Sequence, residues 1–274
     1  MQKPLFFSIA SILLFTVLLI VLMTRRSYTV CLIQDGYVYI PFTPPQHLLD
    51  RTLSQAIENL GTCKGRQMGD IHHESTKRRD VNLTITPHIL KLIAKIWTTH
   101  QQVWESVVGP DPVFYECSVL MTLPGAKPQL WHRDSTSMGP KYRKVLYIGV
   151  LLQDTDAEMG ALQVVPSTHT DAKDISSKTE RTQKRVLTGK AGDLVCWNAN
   201  VHHRGGPNVS HRSRFVFYFS VMSKYGKKPS GLTASLRKEY THKQPSKDNP
   251  DRMGRKGKAE TVYPSMQKLV QLYG

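Results

Sequence analysis

Gly192-Asp193-Leu194-Val195-Cys196-Trp197, then His202-His203-Arg204-Gly205-Gly206-Pro207-Asn208, then Arg212-Ser213-Arg214-Phe215-Val216-Phe217-Tyr218 form one stretch in which apolar runs alternate with turn residues. β-branched and aromatic side chains suit a pleated, half-buried surface, and Gly and Pro interrupt it, so this stretch predicts strand, turn and strand. The same texture extends toward the N-terminus in the runs Val113 to Leu123, Val145 to Leu152 and Ala161 to Val165. Turn signals at Pro124-Gly125, Asp154-Thr155-Asp156 and Gly189 to Gly192 separate them. Short strands spaced in this way predict a β-sandwich or jelly roll.

Upstream the period changes from two to that of a helix. Leu49, Leu53, Ile57 and Leu60 recur at helical spacing, with Thr43 placed to cap, Pro44 in the first turn and Gly61 to close the C-terminus. A second helix is expected from Thr86-Pro87, carrying Ile89, Ile93, Ile96, Trp97, Trp104 and Val107 toward a core and ending at Gly109-Pro110. Between them Lys64 to Asp80 is polar and aperiodic, which predicts an exposed loop. His72-His73 on that loop is read as solvated, because metal sites need preorganised side chains. Ile33 to Pro41 reads as a turn and a short alternating strand. The fold class is therefore mainly β with flanking helices (α+β).

The run from Leu5 to Met23 carries no charge and approaches the length that spans a bilayer's hydrocarbon core. It predicts an N-terminal transmembrane helix within residues 1–26, in preference to a cleaved signal segment that would leave a secreted protein, because it is longer than a signal core and ends at Thr24-Arg25-Arg26. Lys3 on one side and Arg25 with Arg26 on the other leave orientation open, with the endomembrane lumen preferred for the domain. The four cysteines, Cys31, Cys63, Cys117 and Cys196, form no Cys-X-X-Cys pair, which argues against a zinc ribbon or disulfide scaffold. The net charge of +16 is concentrated partly in a basic extension at 226–274, and favours an anionic partner or substrate in mild degree. No RNA-reading motif or zinc-finger spacing supports nucleic acid. Asn82-Leu83-Thr84 and Asn208-Val209-Ser210 fit the glycosylation pattern, a three-residue signal that chance supplies easily.

Trp131-His132-Arg133-Asp134 sets an imidazole and a carboxylate two residues apart, so in extended chain both face one way and can share a cation. In a chain with eleven histidines the pattern is weak evidence, and His169-Thr170-Asp171 repeats it. The charged, loop-like segment Asp171 to Lys184 that follows argues against the second copy.

With the downstream stretch quoted first, these residues resemble the phytanoyl-CoA dioxygenase family of iron(II)/2-oxoglutarate oxygenases. The landmarks are Asp35-Gly36-Tyr37-Val38, the Trp131 to Asp134 segment, Gly160-Ala161-Leu162-Gln163-Val164-Val165-Pro166-Ser167-Thr168-His169, and the Gly192 to Tyr218 stretch, over Ile33 to Met222 in all. The resemblance implies a double-stranded β-helix (jelly-roll, cupin-like) domain at 27–225, with iron(II) held by His132, Asp134 and His203. It places His203 ahead of His202, since His203 stands in the right position before Gly206-Pro207-Asn208, and it puts His169 in a turn that binds no metal. It also makes Arg214 the 2-oxoglutarate anchor, with Arg212 as runner-up. Two imidazoles and one carboxylate on one face of iron leave the opposite positions open, and a guanidinium fork suits the distal carboxylate of the keto acid.

The activity so implied is hydroxylation by O2, with succinate and carbon dioxide as co-products. Asp134 argues against the related halogenases, which lack the carboxylate ligand. Two positions depart from the family pattern: Arg133 where a Gln is common, and Gly205 where a small hydroxyl residue often stands. They leave room for a competing reading, a catalytically silent barrel serving as a membrane-tethered binding module. Arg133 is expected to face away from the metal. Tyr115, Tyr147 and Lys141 are candidates for the pocket lining, with core packing or surface exposure the more ordinary expectation for each. Nothing in the sequence names a substrate carbon skeleton.

Overall fold

Alternation along one strand organises the molecule. In the computed structural model, which describes residues 27–62, 66–67, 77–171, 175–229, 242–244, 260–262 and 264–273, Arg214–Met222 (β10) sends Phe217, Phe219 and Val221 to one face and Arg214, Val216, Tyr218 and Ser220 to the other. The first face is apolar and packs on helices, and the second encloses a cavity.

The remaining strands are Tyr37–Ile40 (β1), Arg66–Gln67 (β2), Arg78–Asn82 (β3), Val113–Thr122 (β4), Val145–Leu151 (β5), Leu162–Val165 (β6), Arg185–Leu187 (β7), Leu194–Asn198 (β8), His202–Gly205 (β9), His242–Gln244 (β11) and Glu260–Val262 (β12). Residues 27–34 are helical, and the further helices are Gln46–Thr62 (α1), Pro87–Val108 (α2), Ser177–Gln183 (α3) and Met266–Tyr273 (α4). The large sheet runs β1-β8-β5-β10-β4-β3-β2, and β7-β6-β9 forms a small sheet. Every strand pairing within them is antiparallel. Two such antiparallel sheets with helices on the outer face make a jelly roll, as the strand spacing predicted.

The outer face of the large sheet (Cys117, Val119, Leu146, Ile148, Val150, Leu194, Cys196, Phe217, Phe219) is buried in one cluster with Ile89, Leu92, Ile93, Ile96, Trp97 and Trp104 of α2. Pro87 opens α2 and Gly109, at φ 78°, closes it, both where expected. The start of α1 differs. It begins at Gln46 rather than at Thr43-Pro44, because Thr43 and Pro44 each precede a proline and are driven out of the helical region. Arg78–Asn82 is a strand rather than the end of an exposed loop, and Arg78 and Asp80 are buried. Loop expectation failed there because a polar strand facing a polar cavity carries no apolar alternation. His72-His73 lies outside the described residues.

The expected membrane span at Leu5 to Met23 also lies outside the described residues, among which no helix is long and apolar enough to cross a membrane. The C-terminal helix α4 returns to the domain. Phe114 N–H donates to Pro264 O at 2.8 Å and Met266 N–H to Pro112 O at 2.9 Å, while Asp111 takes the Gln267 N–H and the Lys224 ammonium. Met266 is fully buried in the main core and Leu272 is exposed. Met266→Ala is expected to cost about 2–5 kcal/mol in urea unfolding, against less than about 0.5 kcal/mol for Leu272→Ala.

Candidate metal centre

β9 puts His203 on the cavity side, and the segment before β5 crosses it at His132. The two residues exchange backbone hydrogen bonds, His132 N–H to His203 O at 3.1 Å and His203 N–H to His132 O at 3.0 Å. Directly opposed residues in an antiparallel pair share a face, so the imidazoles meet, with ring centroids 4.4 Å apart. Two residues on, Asp134 returns to the same face. One ligand atom each from His132, Asp134 and His203 lie within 4.8 Å of one another, the sole such group of three His, Cys, Asp or Glu among the described residues.

Each side chain is aimed by a second contact. Nδ1 of His132 lies 2.9 Å from Leu130 O, and Nδ1 of His203 lies 3.0 Å from Val201 O. A carbonyl only accepts, so both Nδ1 atoms carry the proton and both Nε2 lone pairs face the centre. The Trp197 indole N–H donates to Asp134 Oδ2 at 2.9 Å. Burial opposes a charge on Asp134, but the His203 and His132 imidazoles and the indole N–H together hold its carboxyl well below the usual carboxylate range. Burial likewise opposes a charge on His203, and the Asp134 carboxylate outweighs it, so that imidazole is raised.

The cavity that holds these three also holds Arg214. Its guanidinium is buried; Nη2 donates to Thr122 Oγ1 at 3.1 Å, and Nε is buried with no hydrogen-bond partner among the described residues. Burial, with the neighbouring Arg78 charge, pulls its pKa down to about 9. A desolvated cation with an unused donor in a cavity suits an anionic ligand. Arg212, the runner-up, points elsewhere: its Nη2 reaches Asp154 O at 3.2 Å and Asp156 Oδ2 at 3.4 Å on the exposed surface.

Arg78 explains one departure from the family pattern. Its guanidinium donates to Lys127 O at 2.9 Å, to Gly206 O and to Thr122 Oγ1. A Cβ at position 205 would strike its Nη1 and lie 2.9 Å from Gln129 Oε1. Gly205 therefore gives Arg78 the room to brace the turn behind the site. Arg133, the other departure, does face away, and its Nη2 donates to Asp171 O at 2.5 Å and Thr168 O at 3.3 Å. His202 and His169 stand outside the cluster, and His169 Nε2 lies 3.0 Å from Ile33 O. Tyr147 lines the cavity and stacks on Trp197 with centroids 5.2 Å apart, whereas Tyr115 and Lys141 are absent from the lining. Asn208 is fully buried, its amide donating to Thr122 O and Arg212 O, so it is a structural clamp and no glycan acceptor.

Residues 34–216 match the family model of the phytanoyl-CoA dioxygenases. The curated relative dioxygenase lolE1 of Epichloe uncinata is 28% identical over 122 residues, which is 42% of this chain and 47% of that protein. The matched span is thus about half the length of that relative. Among solved structures, the non-heme α-ketoglutarate-dependent epimerase SnoN from nogalamycin biosynthesis superposes with a TM-score of 0.60 at 16% identity, over 78% of this chain and 93% of its own. HygX from Streptomyces hygroscopicus, crystallised with nickel, 2-oxoglutarate and hygromycin B, gives 0.56 at 12% identity over 73% and 87%. EctD from S. alaskensis, with 2-oxoglutarate and 5-hydroxyectoine, gives 0.54 at 18% identity over 71% and 74%. These likenesses share the fold described above, and the family match spans every strand from β1 to β9 that builds the His132–His203 crossing: the chain belongs to the phytanoyl-CoA dioxygenase family.

Proposed function

We propose that this protein is an iron(II)- and 2-oxoglutarate-dependent dioxygenase that hydroxylates an organic substrate. The observation that carries the reading is the convergence of His132, Asp134 and His203 in the same cavity as Arg214 with its unpartnered Nε. Two imidazoles whose Nε2 atoms face the centre and an ionised carboxylate on one side fit a facial iron(II) site with open positions, and do not fit a closed structural zinc site. Bound iron(II), with 2-oxoglutarate and O2, supplies the power to oxidise a C–H bond: one oxygen atom enters the substrate, the other enters succinate, and carbon dioxide leaves.

The chain's residues supply position and electrostatics. Leu130 O and Val201 O fix the tautomers of the two histidines. Trp197 holds Oδ2 of Asp134, so that Oδ2 lies toward His203 and Oδ1 toward His132. Arg214 takes the distal carboxylate of the keto acid, steered by Thr122, while the carbonyl contacts of Arg78 keep that second guanidinium in place beside it. We propose in addition that the uncharged run Leu5 to Met23 tethers the domain to a membrane, a reading supported by its length and composition.

Purified protein loaded anaerobically with iron(II) and 2-oxoglutarate is expected to develop the weak visible charge-transfer band of a metal-chelated keto acid. On admission of O2 it is expected to release succinate. Asp134→Ala should abolish both, and a wild-type sample that gives neither refutes the assignment. Arg214→Gln should raise the KM for 2-oxoglutarate roughly 30-fold or more, the equivalent of about 2 kcal/mol or above for removing one partner of a buried charged pair. An unchanged KM would return the anchor to another residue. The full chain expressed in cells should resist alkaline-carbonate extraction from membranes, and deletion of residues 1–26 should release it.

A further inference from the structure

The cavity has a second polar end, opposite in charge to the Arg214 end, and the mechanism above does not use it. Strand register places Trp197 beside Tyr147, Tyr147 beside Ser220, and Ser220 beside Glu116, one row across β8, β5, β10 and β4 on the inner face. A bulge in the β4–β10 pairing at Ser220/Val221 turns Tyr115 inward as well, behind this row. Glu116 is 1% exposed yet lines the cavity that holds the metal triad. Along the same face of β4, Thr122 at the Arg214 end stands six positions away, roughly 20 Å at strand rise.

Glu116 has hydroxyls for company. Ser220 Oγ donates to its Oε2 at 3.1 Å and the Tyr147 hydroxyl donates to it as well, while no ion pair joins it to a cation among the described residues. A second carboxylate, Asp80, shares the lining and accepts from Ser118 and, at 3.2 Å, from the Tyr218 hydroxyl. The wall between is aromatic: Tyr147, Trp197 and Tyr218 all face the cavity. Arg78 and Arg214 sit at the other end, joined through Thr122, and Arg79, the last cation of the lining, occupies the alternate parity of β3.

A buried carboxyl without a cation is costly to ionise, and burial, reinforced by the Asp134 and Asp80 charges, pushes Glu116 up to about 8. A buried carboxyl on an aromatic wall suits an ammonium, which would pair with Glu116 and lie against the ring faces. We propose that the substrate of this site is a small organic amine, bound in its protonated form against Glu116, with Tyr147, Tyr218 and Asp80 around it. The proposal rests on the oxygenase reading and deepens it. A substrate carboxylate has no comparable seat, since the cation at the far end faces the co-substrate. Net charge counts the whole chain, whereas the described lining of the cavity carries Asp80, Glu116 and Asp134 beside Arg78, Arg79 and Arg214.

The test uses wild-type protein loaded with iron(II) and 2-oxoglutarate without oxygen, titrated with small aliphatic and cyclic amines, each matched to the alcohol and the carboxylate of the same skeleton. Binding is read from perturbation of the charge-transfer band and from ligand-observed NMR. At least one amine is expected to bind about tenfold tighter than its alcohol and to stimulate succinate release when oxygen is admitted. Its carboxylate is expected to compete with 2-oxoglutarate instead. In Glu116→Gln the amine-over-alcohol preference should fall by about tenfold, with the thermal midpoint confirming a folded protein. If no amine outbinds its alcohol, or if the preference survives in a folded Glu116→Gln, the substrate assignment is wrong while the oxygenase reading stands. If the band and succinate never form, the oxygenase reading falls and the assignment falls with it.

Discussion

Two backbone hydrogen bonds between His132 and His203 hold the site in being. They join a segment with no long strand of its own to β9 of the small sheet, and they are flanked by Gln129 N–H to Gly205 O and Ser135 N–H to Ala199 O, both at 3.0 Å. The segment 129–135 thus lies antiparallel to 199–205, with its register held at three places. Because side chains alternate with a period of two, a slip of one residue would send either imidazole to the wrong face and bring Arg133 inward in place of Asp134. Much of the surrounding architecture serves to prevent that slip. Gln129 caps the Gly205 N–H with its side chain, Asn200 holds Ser135 O and Ser137 O, and Arg78 fills the space that Gly205 leaves.

A barrel interior lined by Arg78, Asp80, Glu116, Asp134, Arg214 and two histidines is an expensive interior. The outer face of the same sheet supports it. Phe217, Phe219, Ile148, Val119 and their neighbours bury against α2 in the core that makes the fold stable, so the inner face is free to carry charge. That separation also divides the cavity electrically. Cations gather where Thr122 joins Arg78 to Arg214, the His132, Asp134 and His203 group occupies the wall formed by β9 and its partner segment, and carboxyls with hydroxyls occupy the rest.

Local spacing paired His132 with Asp134, two residues apart, while His203 and Arg214 were singled out by the resemblance of the Gly192 to Tyr218 stretch to the family, with the alternating strand ranking Arg214 over Arg212. The two helices could be read from periodicity, but the helix start at Gln46 could not, because the restriction that Pro44 and Pro45 place on the residues before them overrides a capping Thr43. Arg78, Asp80 and Glu116 were not legible as site residues. Arg78 and Asp80 sit in a stretch whose composition is that of a loop. Glu116 is a lone acid inside an apolar run, where strand alternation says that it faces one way but not what it faces.

What the amino-acid sequence determined by itself was therefore what contiguous residues encode: the strand and helix periods, the breaks between them, and the two-residue spacing of His132 and Asp134. What only the tertiary structure decided was which inward-facing residues share a row. The row Trp197-Tyr147-Ser220-Glu116 and the row Arg214-Thr122-Arg78 each draw on strands far apart in the chain. Their membership is set by pairing register, a property of two backbones meeting, and no single strand's sequence contains it.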